Sequence, residues 1–329
     1  MVDYAKPWLS IDDQIERLVA RGIHVPDRAA ASELLRTVGY YRLTGYLYPF
    51  RTSEMYVDDD GRDRIRVLSD YGEGTSVENA ARLLEFDREL RLIVLDGVER
   101  IEIALRTQIG HVVGRVGAFT HEHPGTFVSA FTDPRADPVS GSPVPSRQVE
   151  WLTRVQERRD SSDEAFVAHF RTKYDDQMPI WALTELLELG HLSRLYAGLR
   201  NDLATEIASA FGVPTKRLME SWIATINYVR NISAHHARLF NRKLVAAPKR
   251  PKPSQVPLLA HLSQSDAPKQ FGSYSALAVM AYLLRSINPD GNWPRRVASH
   301  LHRFPTSAAL DVGSMGVASD WLDEDLWRA

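Results

Sequence analysis

The segment Arg230-Asn231-Ile232-Ser233-Ala234-His235-His236 gathers a guanidinium, an amide and two imidazoles within about two helical turns. Successive residues of an α-helix turn by about 100°. On a continuous helix, Asn227, Asn231, His235, Arg238 and Arg242 share one stripe, and Arg230, Ala234, Ala237 and Asn241 share the next. The opposite side carries Ile226, Val229, Ile232 and Leu239. One face is thus suited to burial and another to polar work.

These residue types suit cleavage of RNA without a metal. An imidazole titrates near neutrality, so it can take the proton of a ribose 2′-hydroxyl or give one to the departing 5′-oxygen. A fixed guanidinium stabilises the charge that gathers on the phosphorane. An amide can orient the ring or hold a phosphate oxygen. Arg230, His235, Asn231 and His236 are the catalytic candidates. Acid and base together want two histidines, and a symmetric pair of chains is the economical way to supply them. Arg238 and Arg242 are candidates for RNA phosphates. Tyr41 and Arg42 could stack a base and grip a phosphate. Glu185 could support the site from a neighbouring helix.

Each assignment has a plainer counterpart. Arg followed by His after four to six residues also occurs at Arg17/His24, Arg106/His111, Arg115/His121 and Arg295/His300. The spacing alone therefore also describes a solvated polar face. His236 can equally position substrate or support structure, and Glu185 can be a surface acid. Tyr40 and Tyr41 are of the type that fills a core. His121-Glu122-His123 lacks a third ligand at a sensible spacing, so neither a metal nor another cofactor is expected.

The elements that must position these groups read as helices. Ser10 with Asp13 marks one start, and Gly22 suits its end. Asp27 caps a second helix. A long periodic stretch covers about 77–113, and Pro179 opens a helix with Gly190 as its kink or stop. A helix beginning at Pro214 is expected to run on to about Leu244, and a last one spans 273–287. Residues 58–74 read as a loop or short hairpin, and 114–146, rich in Pro, Gly and Ser, as a surface loop or insertion. Pro248 to Pro253 is a basic extended linker. The expected class is all-α, a helical bundle core with added helices at both ends. An N-terminal region, 1–75, precedes a core at 76–245 and a linker with C-terminal helices at 246–329.

Composition bounds the rest. With 44% hydrophobic and 25% charged residues the 329-residue chain can bury a sizeable core. The formal charge of −2 rules out a global basic field, so any nucleic-acid site is a local patch. There is no cysteine, which excludes disulfides, thiolate metal sites and Cys nucleophiles. No apolar run approaches membrane-span length and Met1 to Ser10 lacks a signal-peptide core, so a cytoplasmic protein with no membrane partner is expected.

Several strings together resemble the abortive-infection AbiD/AbiF-like family, whose core belongs to the HEPN superfamily. They are Lys6-Pro7-Trp8-Leu9-Ser10, Val38-Gly39-Tyr40-Tyr41-Arg42-Leu43-Thr44-Gly45-Tyr46, Phe86 to Arg91 with Val98 to Arg106, Met178-Pro179-Ile180-Trp181 with Glu185 and Gly190, and Arg230 to His236. The last is similar to the superfamily motif Arg-polar-x-x-x-His, with Arg230 and His235 in the catalytic places. The resemblance implies an HEPN-type bundle and a metal-independent endoribonuclease acting as a toxin in phage defence. It also implies a homodimer with a composite site, an RNA substrate and, for some members, a non-coding antitoxin RNA. The alternative is a non-catalytic RNA-binding or regulatory helical protein.

Overall fold

The structure is a computed structural model that describes residues 7–264, 272–318 and 320–328. Lys6, at the head of the opening motif, lies outside them. In chain order the helices are α1 Ile11–Ala20, α2 Arg28–Val38, α3 Tyr40–Leu47, α4 Val77–Gly114, α5 Ser129–Thr132, α6 Arg147–Asp160 and α7 Ala165–Tyr174. They continue with α8 Ile180–Leu183, α9 Leu189–Gly198, α10 Asn201–Ala210, α11 Lys216–Ala234, α12 Ser273–Ile287 and α13 Trp293–His302. Two small antiparallel ribbons, β1 Arg51–Val57 with β2 Asp63–Tyr71 and β3 Arg135–Ala136 with β4 Pro143–Val144, are the strands. The class is therefore mostly α, as the periodicity predicts.

Local chemistry sets the helix starts. Ser10 and Asp13 form a reciprocal capping box, Asp27 accepts from the Ala30 amide, and Ser76 pairs with Asn79. Thr215 accepts from the Leu218 amide and starts α11, so Pro214 stands just before the cap rather than inside the first turn. Each such cap contributes about 1 kcal/mol.

The 38 residues of α4 form the spine. Leu83, Leu90, Val94, Val98, Ile101, Leu105 and Ile109 are fully or nearly fully buried along it. Helices α3, α8, α9, α10, α11, α12 and α13 all pack against it. Helix α11 buries Trp222, Ile223, Ile226, Val229 and Ile232. Burying side chains of this size stabilises the fold by roughly 1.5–3 kcal/mol each before entropy is counted.

Three expectations change. Residues 114–146 carry short helical turns and are tied to α9: the Val128 amide donates to Gly198 and the Arg200 amide to Thr126. The Phe131 ring lies where a Cβ on Gly198 would be 2.6 Å away. The break expected at Gly190 falls at Leu187 and Glu188, and Gly190 sits inside the first turn of α9 against the Asn227 amide. Finally, the tail beyond α12 contains a further helix, α13, whose Trp293 indole donates to the Ile93 carbonyl at 2.9 Å.

Candidate functional site: the end of helix α11 and an arginine-lined cleft

Helix α11 does not continue to Leu244. It stops at Ala234, with His235 as the C-cap and His236 left-handed at φ +56°. The His236 amide donates to Ser233 and the Ala237 amide to Ile232. These paired bonds make a Schellman motif, whose left-handed position usually belongs to glycine. A histidine there carries a Cβ cost, although His tolerates the region better than most residues. Because the helix ends, the single stripe from Asn227 to Arg242 does not form. Arg238 and Arg242 follow a sharp change of direction.

Of the predicted catalytic group, Asn231, His235 and His236 are exposed and Arg230 is half-buried. The Arg230 guanidinium bends along the helix, its Nη1 donating to Asn231 Oδ1 at 3.1 Å. Asn231 precedes His235 by about one helical turn. Glu188, the N-cap of α9, holds the other edge of Arg230 at 3.9 Å. Glu185 faces Arg106 instead, also at 3.9 Å. The acid beside Arg230 is thus Glu188, which sequence reasoning missed; its place just before a helix start was the available signal. A helix C-terminus carries partial negative charge and is a poor seat for a phosphate by itself. Any anion at this end depends on Arg230 to offset that field.

What fixes the turn after α11 lies deep in the protein. Asp87 of α4 is fully buried and accepts from the Leu239 amide at 3.1 Å and the Phe240 amide at 2.7 Å. Tyr46 of α3 donates to Asp87 Oδ2 at 2.6 Å, and Arg91 pairs with the same oxygen. Burial pushes the Tyr46 hydroxyl up to about 12, with the Asp87 charge adding to it. Asp87 therefore joins α3, α4 and the turn that follows His235. Sequence reading missed it because an acid inside a charged, periodic helix looks like a surface residue.

The predicted RNA-binding group comes together. Tyr41, Arg42, Arg238 and Arg242 all line one cleft of about 1230 Å³ between the N-terminal helices and the turn. Tyr41 is 78% exposed, not a core residue. Arg42 is half-buried. Arg238 is anchored by donating to the Gly45 carbonyl, and burial pulls its guanidinium below the ordinary value. Arg242 donates to the Tyr228 hydroxyl at 3.3 Å. Arg230 and His235 do not line this cleft. His121, of the His-Glu-His string, is buried against Trp151 and kept mostly neutral. Among the described residues no cluster of three His, Asp or Glu side chains is arranged to hold a metal ion.

Fold and site together define a mostly α-helical protein with a polar helix end and an arginine-lined cleft at its N-terminal side. The family model described as Abi-like protein matches residues 33–241, and the chain belongs to this abortive-infection family. The match begins inside α2 and ends at Asn241, so it includes the Arg230 to His236 segment and the α3 side of the cleft, while Trp8, Arg17, Arg21 and Arg242 lie outside it. No curated protein and no solved structure matches the chain significantly. Among the described residues no helix is long and apolar enough to cross a membrane.

Proposed function

We propose that this chain is a metal-independent endoribonuclease of the HEPN type that acts as a toxin in abortive infection. What supports this reading is an exposed His235 at the end of α11, one turn after an Asn231 that accepts from the Arg230 guanidinium, in a chain of the Abi-like family. His235 moves the proton at the 2′-hydroxyl or the 5′-oxygen, and Arg230 meets the negative charge of the phosphorane. Asn231 steers the guanidinium. His236 contacts the strand next to the reacting phosphate. One chain supplies one imidazole–guanidinium set on an open surface, so two copies meeting across this end complete the acid–base pair in a cytoplasmic homodimer. A non-coding RNA fits as the restraining partner because it would occupy the substrate's binding surface.

The test is cleavage of single-stranded RNA in EDTA. Wild type should cut and leave 2′,3′-cyclic phosphate ends, and His235→Ala should be slower by a factor of about 10²–10⁴. Equal rates for the two proteins would remove His235 from the chemistry. RNA binding with no cutting by wild type would instead favour a non-catalytic binder that uses the same arginines.

A further inference from the structure

The cleft between α1, α3 and the turn after α11 carries more charge than the sequence suggested. Besides Arg42, Arg238 and Arg242 it is lined by Arg17, Arg21 and Arg51, and among the described residues no Asp or Glu lines it. None of these six arginines forms an ion pair with a carboxylate among the described residues. That is unusual in a chain of net charge −2, where Arg28, Arg64, Arg66, Arg88, Arg100, Arg106 and Arg115 each do. Six like charges facing one volume repel one another; the Ser69 carbonyl and the Tyr71 ring hold Arg21, Tyr48 and Tyr71 flank Arg51, and none of these neutral contacts cancels the charge as an anion would.

Aromatic faces alternate with the charges. Tyr40, Tyr41, Tyr46, Tyr48 and Trp8 line the same cleft, with Trp8 87% and Tyr41 78% exposed. The Arg51 guanidinium lies 5.2 Å over the Tyr48 ring. The Tyr40 hydroxyl and Arg51 Nε are shielded and make no hydrogen bond within the protein. A volume of about 1230 Å³ exceeds the roughly 300–1,000 Å³ of small-ligand sites. Guanidinium groups for phosphates, open aromatic faces for bases and more room than one small molecule needs together describe a single-stranded polynucleotide. A duplex would hide its bases from Trp8 and Tyr41.

We infer that this cleft is a dedicated single-stranded RNA-binding track, set apart from the helix end where Arg230 and His235 sit. Arg17, Arg21, Arg42, Arg51 and Arg242 grip phosphates, and Trp8 and Tyr41 stack bases. Arg238 is a positioning residue that ties the track's floor to α3 through Gly45. The inference rests on the nuclease reading only for the choice of RNA as the nucleic acid.

The test uses the full chain carrying His235→Ala, so that the probe is not cut. A fluorescein-labelled oligouridylate is titrated by anisotropy across a salt series. Arg42→Gln with Arg51→Gln should weaken binding at least tenfold and make the slope of log K against log salt shallower by about 1.4. Tyr41→Ala should weaken binding about tenfold with the slope unchanged. Tyr41 is mostly exposed, so that variant decides the matter if the double variant loses its fold. Unchanged affinity in Tyr41→Ala and in a folded double variant overturns the track. So does equal affinity for a duplex of the same length or for polyglutamate, the latter marking an acidic protein as the occupant. The two proposals fail separately. Loss of binding in the cleft variants while His235→Ala still cuts would leave the track standing and the catalytic assignment wrong.

Discussion

His236 holds a backbone conformation that glycine would adopt more cheaply, and it does so next to the candidate catalytic histidine. A residue kept in a costly conformation points to a use for its side chain. His236→Gly should leave stability unchanged or raise it by up to about 1 kcal/mol in chemical denaturation, since the Schellman bonds need only the backbone. The same variant should cut RNA more slowly. A stable variant with wild-type cleavage would make His236 a terminator of the helix and nothing more. Asp87 belongs at this scale too. Replacing it with Ala strands Arg91 and two backbone amides in the interior, at a cost of about 3–5 kcal/mol. Denaturant unfolding measures this directly, and a loss under about 1 kcal/mol would show that water replaces the carboxylate without difficulty.

Between elements, the close approach of α13 to the spine depends on one missing side chain. A Cβ on Gly97 would lie 2.6 Å from the Trp293 ring, which is itself buried and hydrogen-bonded to Ile93. Gly97→Ala gains about 1 kcal/mol of helix propensity but pushes the indole off its seat. The net expected change is a loss of about 1–2 kcal/mol, read from the thermal midpoint; a gain would mean that α13 shifts freely. How much of this level was legible is clear from particular residues. Ser10 and Asp27 announced their helices because a cap acts within three residues, whereas the Ser76 cap went unread. The span 273–287 was readable because it is apolar almost throughout. The end of α11 was not, since a left-handed histidine looks like any other in a sequence. The cleft was half legible: its residue types stood out, but Arg238 and Gly45 are 193 positions apart and only packing joins them.

Across the whole molecule, buried histidines contribute to acid sensitivity, His121 among them. His121 is almost fully buried, and burial, with the nearby His123, lowers it to about 4. Glu122 stands 3.7 Å from its ring but is well exposed, so solvent screens that attraction. An unfolded chain takes up this proton near pH 6.5 and the native one refuses it until about 4. Stability is therefore full above about pH 6.5 and falls as the pH drops toward 4, by at most about 3 kcal/mol from this residue. The thermal midpoint should follow that curve, and His121→Gln should reduce its slope without abolishing it, because burial lowers His261 to about 4 as well. A midpoint constant from pH 7 to 4.5 would mean that the ring is protonated in place.

The segment beyond His235 hangs from Asp87 by two backbone amides, so its course is held from a helix far away in sequence. Genetics would feel this first. Under the proposed toxin function, survivors selected from cells that express this protein should carry lesions at position 87 as readily as at 230 or 235. A map of inactivating mutations would then draw two hot regions for one reaction.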